Sequence, residues 1–367
     1  MSRSFSDVSS NPKVPVFASK ARILGLLVVL LAASILPAFS QEEMHSDSTR
    51  NERAKEEKFN VSEVILEHVM DSHTWHFFEG HYGTLFLPVI VRSEERGWEI
   101  FSSRNFYNEH HQIQAYNGYS LDHNKILLNE KPVLDLSITK NVLMLFINAT
   151  LLIVIMFSVA KAYRARPGKA PTGLQSFIEP IVLFVKDEVV KPNIGPRYER
   201  YLPYLLTLFF FILFGNLLGL LPGAANLTGN IAVTVTLAVL TFLLTNLSGN
   251  ASYWKHIFWT PGVPLPLRVI IMPVEVIGIF TKPFSLMIRL FAAITAGHIV
   301  LLSLMCLTFL FRSWAVGFGS SVFVLFITLI ELLVAGIQAY VFTLFSSLYI
   351  GLAIEEHGGG DHGGEHH

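Results

Sequence analysis

One stretch constrains this chain more than any other. From Pro264 to Leu310 the sequence is almost continuously apolar, yet Arg268, Glu275, Lys282 and Arg289 recur in it at seven-residue intervals. Seven residues is close to two helical turns, so these side chains form one slowly drifting stripe on a helix. At ~1.5 Å per residue the 47-residue run would extend ~70 Å, against a bilayer core of ~30 Å. Pro273 and Pro283 permit kinks, so a start along the cytoplasmic interface and a strongly tilted remainder are expected. Arg289 stands near the middle, within Ser285-Leu-Met-Ile-Arg-Leu-Phe-Ala-Ala-Ile-Thr-Ala-Gly-His298. A central arginine in a spanning helix costs about 2.5–3.5 kcal/mol on insertion scales, which makes a functional role the default reading.

Composition agrees with a membrane protein carrying a polar portion: 51% of residues are hydrophobic and 15% charged, against about 25% charged in soluble domains. A net charge of -1 gives no electrostatic ground for binding nucleic acid. The single cysteine, Cys306, excludes an intrachain disulfide and a Cys-based metal site, and reads as a small buried hydrophobe.

Residues 1–40 read as a secretory signal peptide: basic Arg3, Lys13, Lys20 and Arg22, an apolar run from Ile23 to Leu36, then Ala38-Phe-Ser40. An uncleaved anchor is the other reading, and both export residues 41–137. In that segment a short helix is expected over Val61–Val69, and strands over Gly83–Arg92 and Gly97–Ser102, joined by a Ser-Glu-Glu-Arg turn. His68, Asp71, His73 and His76 could suggest a metal site, but their spacing does not put three on one helical face, so solvated histidines are the expectation. No nucleophile–base arrangement is present there.

The membrane domain covers 138–354, with spans near 141–161, 201–221, 230–248, 274–310 and 320–354, the last two long and tilted. The fold class is therefore an all-α polytopic membrane protein with a small exported amino-terminal domain. Leu174–Val190 sets Phe177, Ile181, Phe184 and Val185 against Glu179, Lys186 and Asp187, as in an amphipathic helix lying on the cytoplasmic interface. Lys161, Arg164, Arg166 and Lys169 follow the first span, the loop after Leu221 has no Lys or Arg, and Lys255 and Arg268 follow the third. The positive-inside rule thus places the amino-terminal domain on the exported side of the membrane and the carboxy terminus in the cytoplasm. Arg312 and Gly317-Phe-Gly319 are expected to make the outer turn, and 355–367 a solvated Gly/His/acid tail. Asn216 either lines a water path or closes a helix–helix contact.

The last two spans are antiparallel in this topology. If Arg289 and Gln338 face each other, nine residues onward reach His298 and seven residues back reach Glu331, steps of ~13.5 and ~10.5 Å that put both at similar depth. A histidine beside a carboxylate suits a proton relay, or His298 is a plain interhelix hydrogen-bond residue. Arg289 stays charged and cannot relay; a fixed cation at mid-depth repels a passing proton and attracts a deprotonated carboxylate. Pairing with Glu275 is excluded, because fourteen residues separate the two by ~21 Å along one helix. Lys282 suits snorkelling to the cytoplasmic interface. Ala292, Ala293 and Ala296 lie near the face of Arg289 and would let another helix approach closely.

These residues resemble a known family. From about Ile138 to His357 the chain is similar to subunit a of the F-type ATP synthase, through Ser285-x-x-x-Arg289-Leu-Phe-x-x-x-x-Ala-Gly297, Pro273-x-Glu275, Asn216 with Gly219-Leu-Leu-Pro222, and Gln338-Ala-Tyr-Val-Phe before Glu355-Glu-His357. The resemblance implies that Arg289 is the essential arginine facing a rotating ring of c subunits, separating two half-channels. It implies that Gln338 lies opposite, that His298 and Glu331 form the acid/imidazole pair of the outer half-channel, and that Glu275 and Ser285 stand on the cytoplasmic side. Implied partners are the c-ring, the b subunits of the peripheral stalk, the remaining synthase subunits and membrane lipid, with no cofactor, metal or nucleic acid. Ala292-Ala293 replace the family's usual Gly-Asn, which removes a channel-lining amide, and the exported segment resembles versions from Gram-negative bacteria of the Bacteroidetes type. No phosphate-binding Gly-rich Lys-Ser/Thr motif is present, so the chain is not an enzyme on its own. One charge crossing the potential yields about 2.3 kcal/mol per 100 mV, too little for one ATP per ion, so a geared ring is needed. The alternative is a proton- or ion-coupled secondary transporter with a midplane site, which would need paired repeats; a passive channel would need a symmetric lining.

Overall fold

The computed structural model describes residues 71–355, apart from 77–83, 109–112, 123–124, 130, 166, 222–223, 260–263 and 312–313. The expected signal peptide, the Val61–Val69 helix, His68 and all but Glu355 of the tail lie outside the described residues.

The amino-terminal part is a small β unit. Strands β1 (Thr74–His76) and β2 (Thr84–Phe86) pair antiparallel. β3 (Pro88–Ser93) is flanked by β4 (Gly97–Ser102) and β8 (Leu134–Asp135), while β5 (Tyr119–Asp122), β6 (Lys125–Leu128) and β7 (Lys131–Pro132) form a third sheet. β4 runs over Gly97–Ser102 as expected, and Ser93 lies opposite Gly97, which takes φ +74° at the turn; the single strand expected over 83–92 is instead two, β2 and β3, in different sheets. The remaining strands were not foreseen, because runs of two to four residues are too short for apolar alternation to register. Val89, Val91, Phe106, Tyr119, Ile126 and Leu128 fill a core between the two three-stranded sheets. Burial is followed in effect by a hydrogen bond to Glu99, and together they raise the pKa of the Tyr119 phenol.

The expected histidine–acid cluster resolves differently. His73 is buried rather than solvated, and its Nε2 lies 3.0 Å from Asp135 Oδ2. Burial pushes the Asp135 carboxyl upward, but hydrogen bonds from His73 and Ser137 outweigh it and hold the pKa below the usual range. Asp71 caps the first helix: its carboxylate accepts from Thr139 Oγ1 (2.7 Å) and from the Asn141 backbone N–H (3.2 Å). A carboxylate at a helix amino terminus satisfies free N–H groups and complements the dipole.

That helix, α1 (Lys140–Ala165), begins a helical remainder. α2 (Leu174–Phe184) runs into a six-residue π-helical stretch, Val185–Val190, and a short turn, Lys191–Ile194. There follow α3 (Tyr198–Gly219), α4 (Ile231–Ser248), α5 (Ala251–Phe258), α6 (Leu265–Phe311) and α7 (Trp314–Ile354). Among the described residues five helical segments are long and apolar enough to cross a membrane, one of them uniting α2 and α3 over Leu174–Gly219. The fold is thus an all-α polytopic membrane protein with a small β appendage.

Two expectations need correction. Gly317–Gly319 do not form a turn; α7 starts at Trp314 and carries them in its opening turns, since long apolar flanks extend the helix past isolated glycines. The surface of α2 is also not one apolar stripe. Ile178, Val185 and Val189 are buried while Phe177, Leu183 and Phe184 are exposed, so apolar residues stand on both the packed and the uncovered side of this segment.

The helical core joins Leu205, Phe210 and Ile212 of α3, Leu286 and Leu290 of α6, and Ala339, Phe342 and Ile350 of α7. α7 approaches the Lys191–Ile194 turn so closely that a Cβ on Gly351 would collide with the Asn193 carbonyl oxygen. Asn250, ahead of α5, donates from its side chain to the Ile354 carbonyl (2.7 Å) and holds the same, carboxy-terminal end of α7.

Candidate functional site

α6 is one 47-residue helix with Pro273 and Pro283 inside it. Arg289 therefore falls ~36 Å from its start and ~33 Å from its end. The side chain is half-buried. Its Nη2 is 3.5 Å from Ser285 Oγ, one turn back on the same helix, and its guanidinium carbon lies 4.4 Å from the centre of the Phe345 ring. Guanidinium over an aromatic face is a cation–π contact, stronger away from water. Among the described residues no carboxylate pairs with Arg289. Lys282 repeats the arrangement seven residues earlier, with Nζ 5.5 Å from the Tyr349 ring centre.

The contacts fix the α6–α7 register. Gly297 meets Glu331, Arg289 meets Phe345 and Lys282 meets Tyr349, so the helices run antiparallel. The guanidinium lies over Phe345, seven residues or about two turns beyond Gln338 on α7. Helical side chains lean toward their own amino terminus, so on antiparallel helices the arginine and the Phe345 ring lean toward each other and meet between their backbones. Gln338 is half-buried.

Glu331 is 5% exposed and lies on the packing face of α7 with Ala335 and Ala339. Its carboxylate fills the space above Gly297, where a Cβ would stand 3.1 Å from Oε1. His298 is the next residue after Gly297 and is half-buried, which places it at the level of Glu331. One turn along α7, the Ala335 carbonyl accepts from Asn216 Nδ2 (3.2 Å), and Thr228 Oγ1 donates to Asn216 Oδ1 (2.6 Å). Asn216, 2% exposed, thus closes a helix–helix contact. Glu275 lies apart from this group, near α5. Burial first, then the Glu275 carboxylate, push the Tyr253 phenol above its usual pKa range.

Around Arg289 one side of α6 is left uncovered by the described residues. Phe284, Ile288, Ala292, Ala296 and Ile299 are all exposed, on turns either side of the arginine. The site therefore presents a fixed cation beside an apolar face, with a buried carboxylate and an imidazole ~12–14 Å farther along. Phe345, Tyr349 and Thr228 belong to it and were not singled out from the sequence. The seven-residue spacing of Gln338 and Phe345 matches the α6 stripe, a signal readable only once the register is known.

Residues 142–351 match the family model described as ATP synthase A chain, and residues 64–141 match a domain of unknown function (DUF8433). The chain is 38% identical to ATP synthase subunit a 2 of Chlorobium luteolum, over 97% of this chain and 93% of that protein. Similarity to ATP synthase subunit a of Pelodictyon phaeoclathratiforme is also 38%, over 97% and 99%. The corresponding protein of Chloroherpeton thalassium is 48% identical over 62% of this chain and 71% of its own length. A matched region of this extent, carrying five long apolar helices and the arginine-centred hairpin, shows that this chain belongs to the ATP synthase A chain family, as a non-catalytic membrane subunit.

Proposed function

We propose that this chain is the proton-translocating stator subunit of an F-type ATP synthase in a bacterial inner membrane, with its β unit in the periplasm and its carboxy terminus in the cytoplasm. It offers two half-channels to the carboxylates of a c-ring and converts proton flow into ring rotation and ATP synthesis on other subunits. The c-ring, the b subunits of the peripheral stalk and the rest of the synthase are its partners.

One observation carries the reading: a mid-helix arginine that no carboxylate of the described chain neutralises, set beside an uncovered apolar strip that includes Ala292 and Ala296. A permanent cation in that position attracts an ionised carboxylate passing on a neighbouring helix and blocks direct proton leakage between the two sides. His298 and Glu331 serve the outer half-channel, with the buried carboxylate and the imidazole exchanging protons along the path to the ring. Glu275 and Ser285 serve the cytoplasmic half-channel, and Gln338 lies opposite the arginine. Phe345 and Ser285 hold the guanidinium without cancelling its charge.

The test is Arg289→Ala in inverted membrane vesicles. The complex assembles and still binds its soluble ATPase sector, while ATP-driven proton pumping is lost. Unchanged pumping overturns the reading, and substrate uptake by the chain without the other subunits would establish a carrier instead.

A further inference from the structure

The outer face of the β4–β3–β8 sheet is apolar and uncovered by the described chain. Register puts Ile90 opposite Ile100, and Arg92 opposite both Trp98 and Leu134. Trp98 is 56% exposed, Ile100 72%, Leu134 55% and Leu136 54%. The opposite face of the same sheet is the core side, holding Val89 and Val91. Alternation along each strand therefore brings one set of apolar residues inward and leaves a second set outside.

We infer that this sheet face rests on the bilayer surface where α1 enters it. First, the patch is joined to a membrane span by a minimal connector. Leu136 is four residues from Lys140, at most ~14 Å along the chain. The connector is also clamped, with the Leu136 and Ile138 N–H groups donating to Ile90 and Pro88 carbonyls and Lys140 N–H to the Ser72 carbonyl. The β unit cannot swing far from the helix it caps. Second, the apolar surface continues into α1, whose Val142 and Phe146 are exposed in its first two turns.

Third, the chemistry of the face suits an interface with anionic headgroups. Its one charge among the described residues is Arg92, whose guanidinium lies 5.6 Å from the Trp98 ring centre. The acids of these strands point elsewhere: Glu99 acts on Tyr119 in the core, and Asp135 on His73. Tryptophan with arginine, apolar body inward and cation toward headgroups, is the composition of a membrane-interface belt.

The experiment places a nitroxide label at Ile100→Cys, and separately at Lys125→Cys, the exposed first residue of β6, in a Cys306→Ser background. Each variant is measured as the assembled complex, reconstituted in vesicles of phosphatidylethanolamine and phosphatidylglycerol. Collision rates with oxygen and with a water-soluble nickel chelate are compared. Contact with lipid gives an oxygen-to-nickel ratio several-fold higher at position 100 than at 125. Equal ratios mean that the face stands in water, and access to neither reagent means that a protein subunit covers it. Either result overturns the inference.

Discussion

In the β unit, Asp71, His73 and Asp135 all find partners inside the chain, as helix cap or buried pair. In the α6–α7 hairpin, Arg289 has one long hydrogen bond and an aromatic ring, and Glu331 is buried against a glycine. Both regions place charge where water is scarce, but only the first neutralises it internally. Leaving a buried charge unpaired costs several kcal/mol. The contrast separates groups satisfied within the chain from groups that are not, and the proposed function assigns the second set to an outside partner.

The largest test of that contrast is Arg289. No group of the described subunit depends on it as a charge partner, so Arg289→Ala lowers neither assembly nor thermal stability of the complex while pumping falls by orders of magnitude. A loss of stability comparable to that of removing Asp71 would erase the distinction between the regions. Next in size is Gly297. Gly297→Val forces the Glu331 carboxylate out of its place, since even a Cβ stands 3.1 Å from Oε1. Proton pumping drops about tenfold, a barrier change of ~1.4 kcal/mol. Combining Gly297→Ala with Glu331→Asp, which withdraws the carboxylate by one methylene, returns activity toward that of Gly297→Ala alone or above it. Additive losses would show that the two residues act independently.

Thr228→Val sharpens the comparison from the other side, because it breaks a bond that is wholly internal. Asn216 Oδ1 loses its donor in a buried site, and the complex is destabilised by about 1–2 kcal/mol. Thermal unfolding of the purified complex measures this, with the pH dependence of pumping unchanged. Asp71→Ala follows at about 1 kcal/mol, the usual worth of a helix cap, read as faster hydrogen exchange in the first turn of α1.

The helical part was legible because spanning segments must be long and apolar, a signal summed over twenty or more residues. Arg289, Glu331 and His298 stood out for the same reason, as rare polar groups in such runs. What sequence could not give was the reach of the arginine side chain to Phe345, which depends on lean and register rather than spacing. Nor could it give the fate of Asp71 and His73. Their partners lie more than sixty residues away, at Thr139, Asn141 and Asp135, and non-local pairs leave no periodic trace.

The smallest effect is a pH dependence confined to the β unit. The folded Asp135 carboxyl has a pKa below that of the unfolded chain, ordinarily about 3.9. A carboxylate of that kind stabilises the fold fully above the unfolded value, and the contribution fades as pH falls through the folded one. The β unit therefore keeps its anchoring down to about pH 4 and loosens below it, seen as faster hydrogen exchange at β8 and at the Ile138 N–H. Asp135→Asn retains a hydrogen-bond acceptor for His73 but cannot ionise, so it removes that acid-sensitive step while leaving proton pumping intact. Persistence of the step in Asp135→Asn would assign it to another carboxylate, with Asp71 at the α1 cap the next to replace.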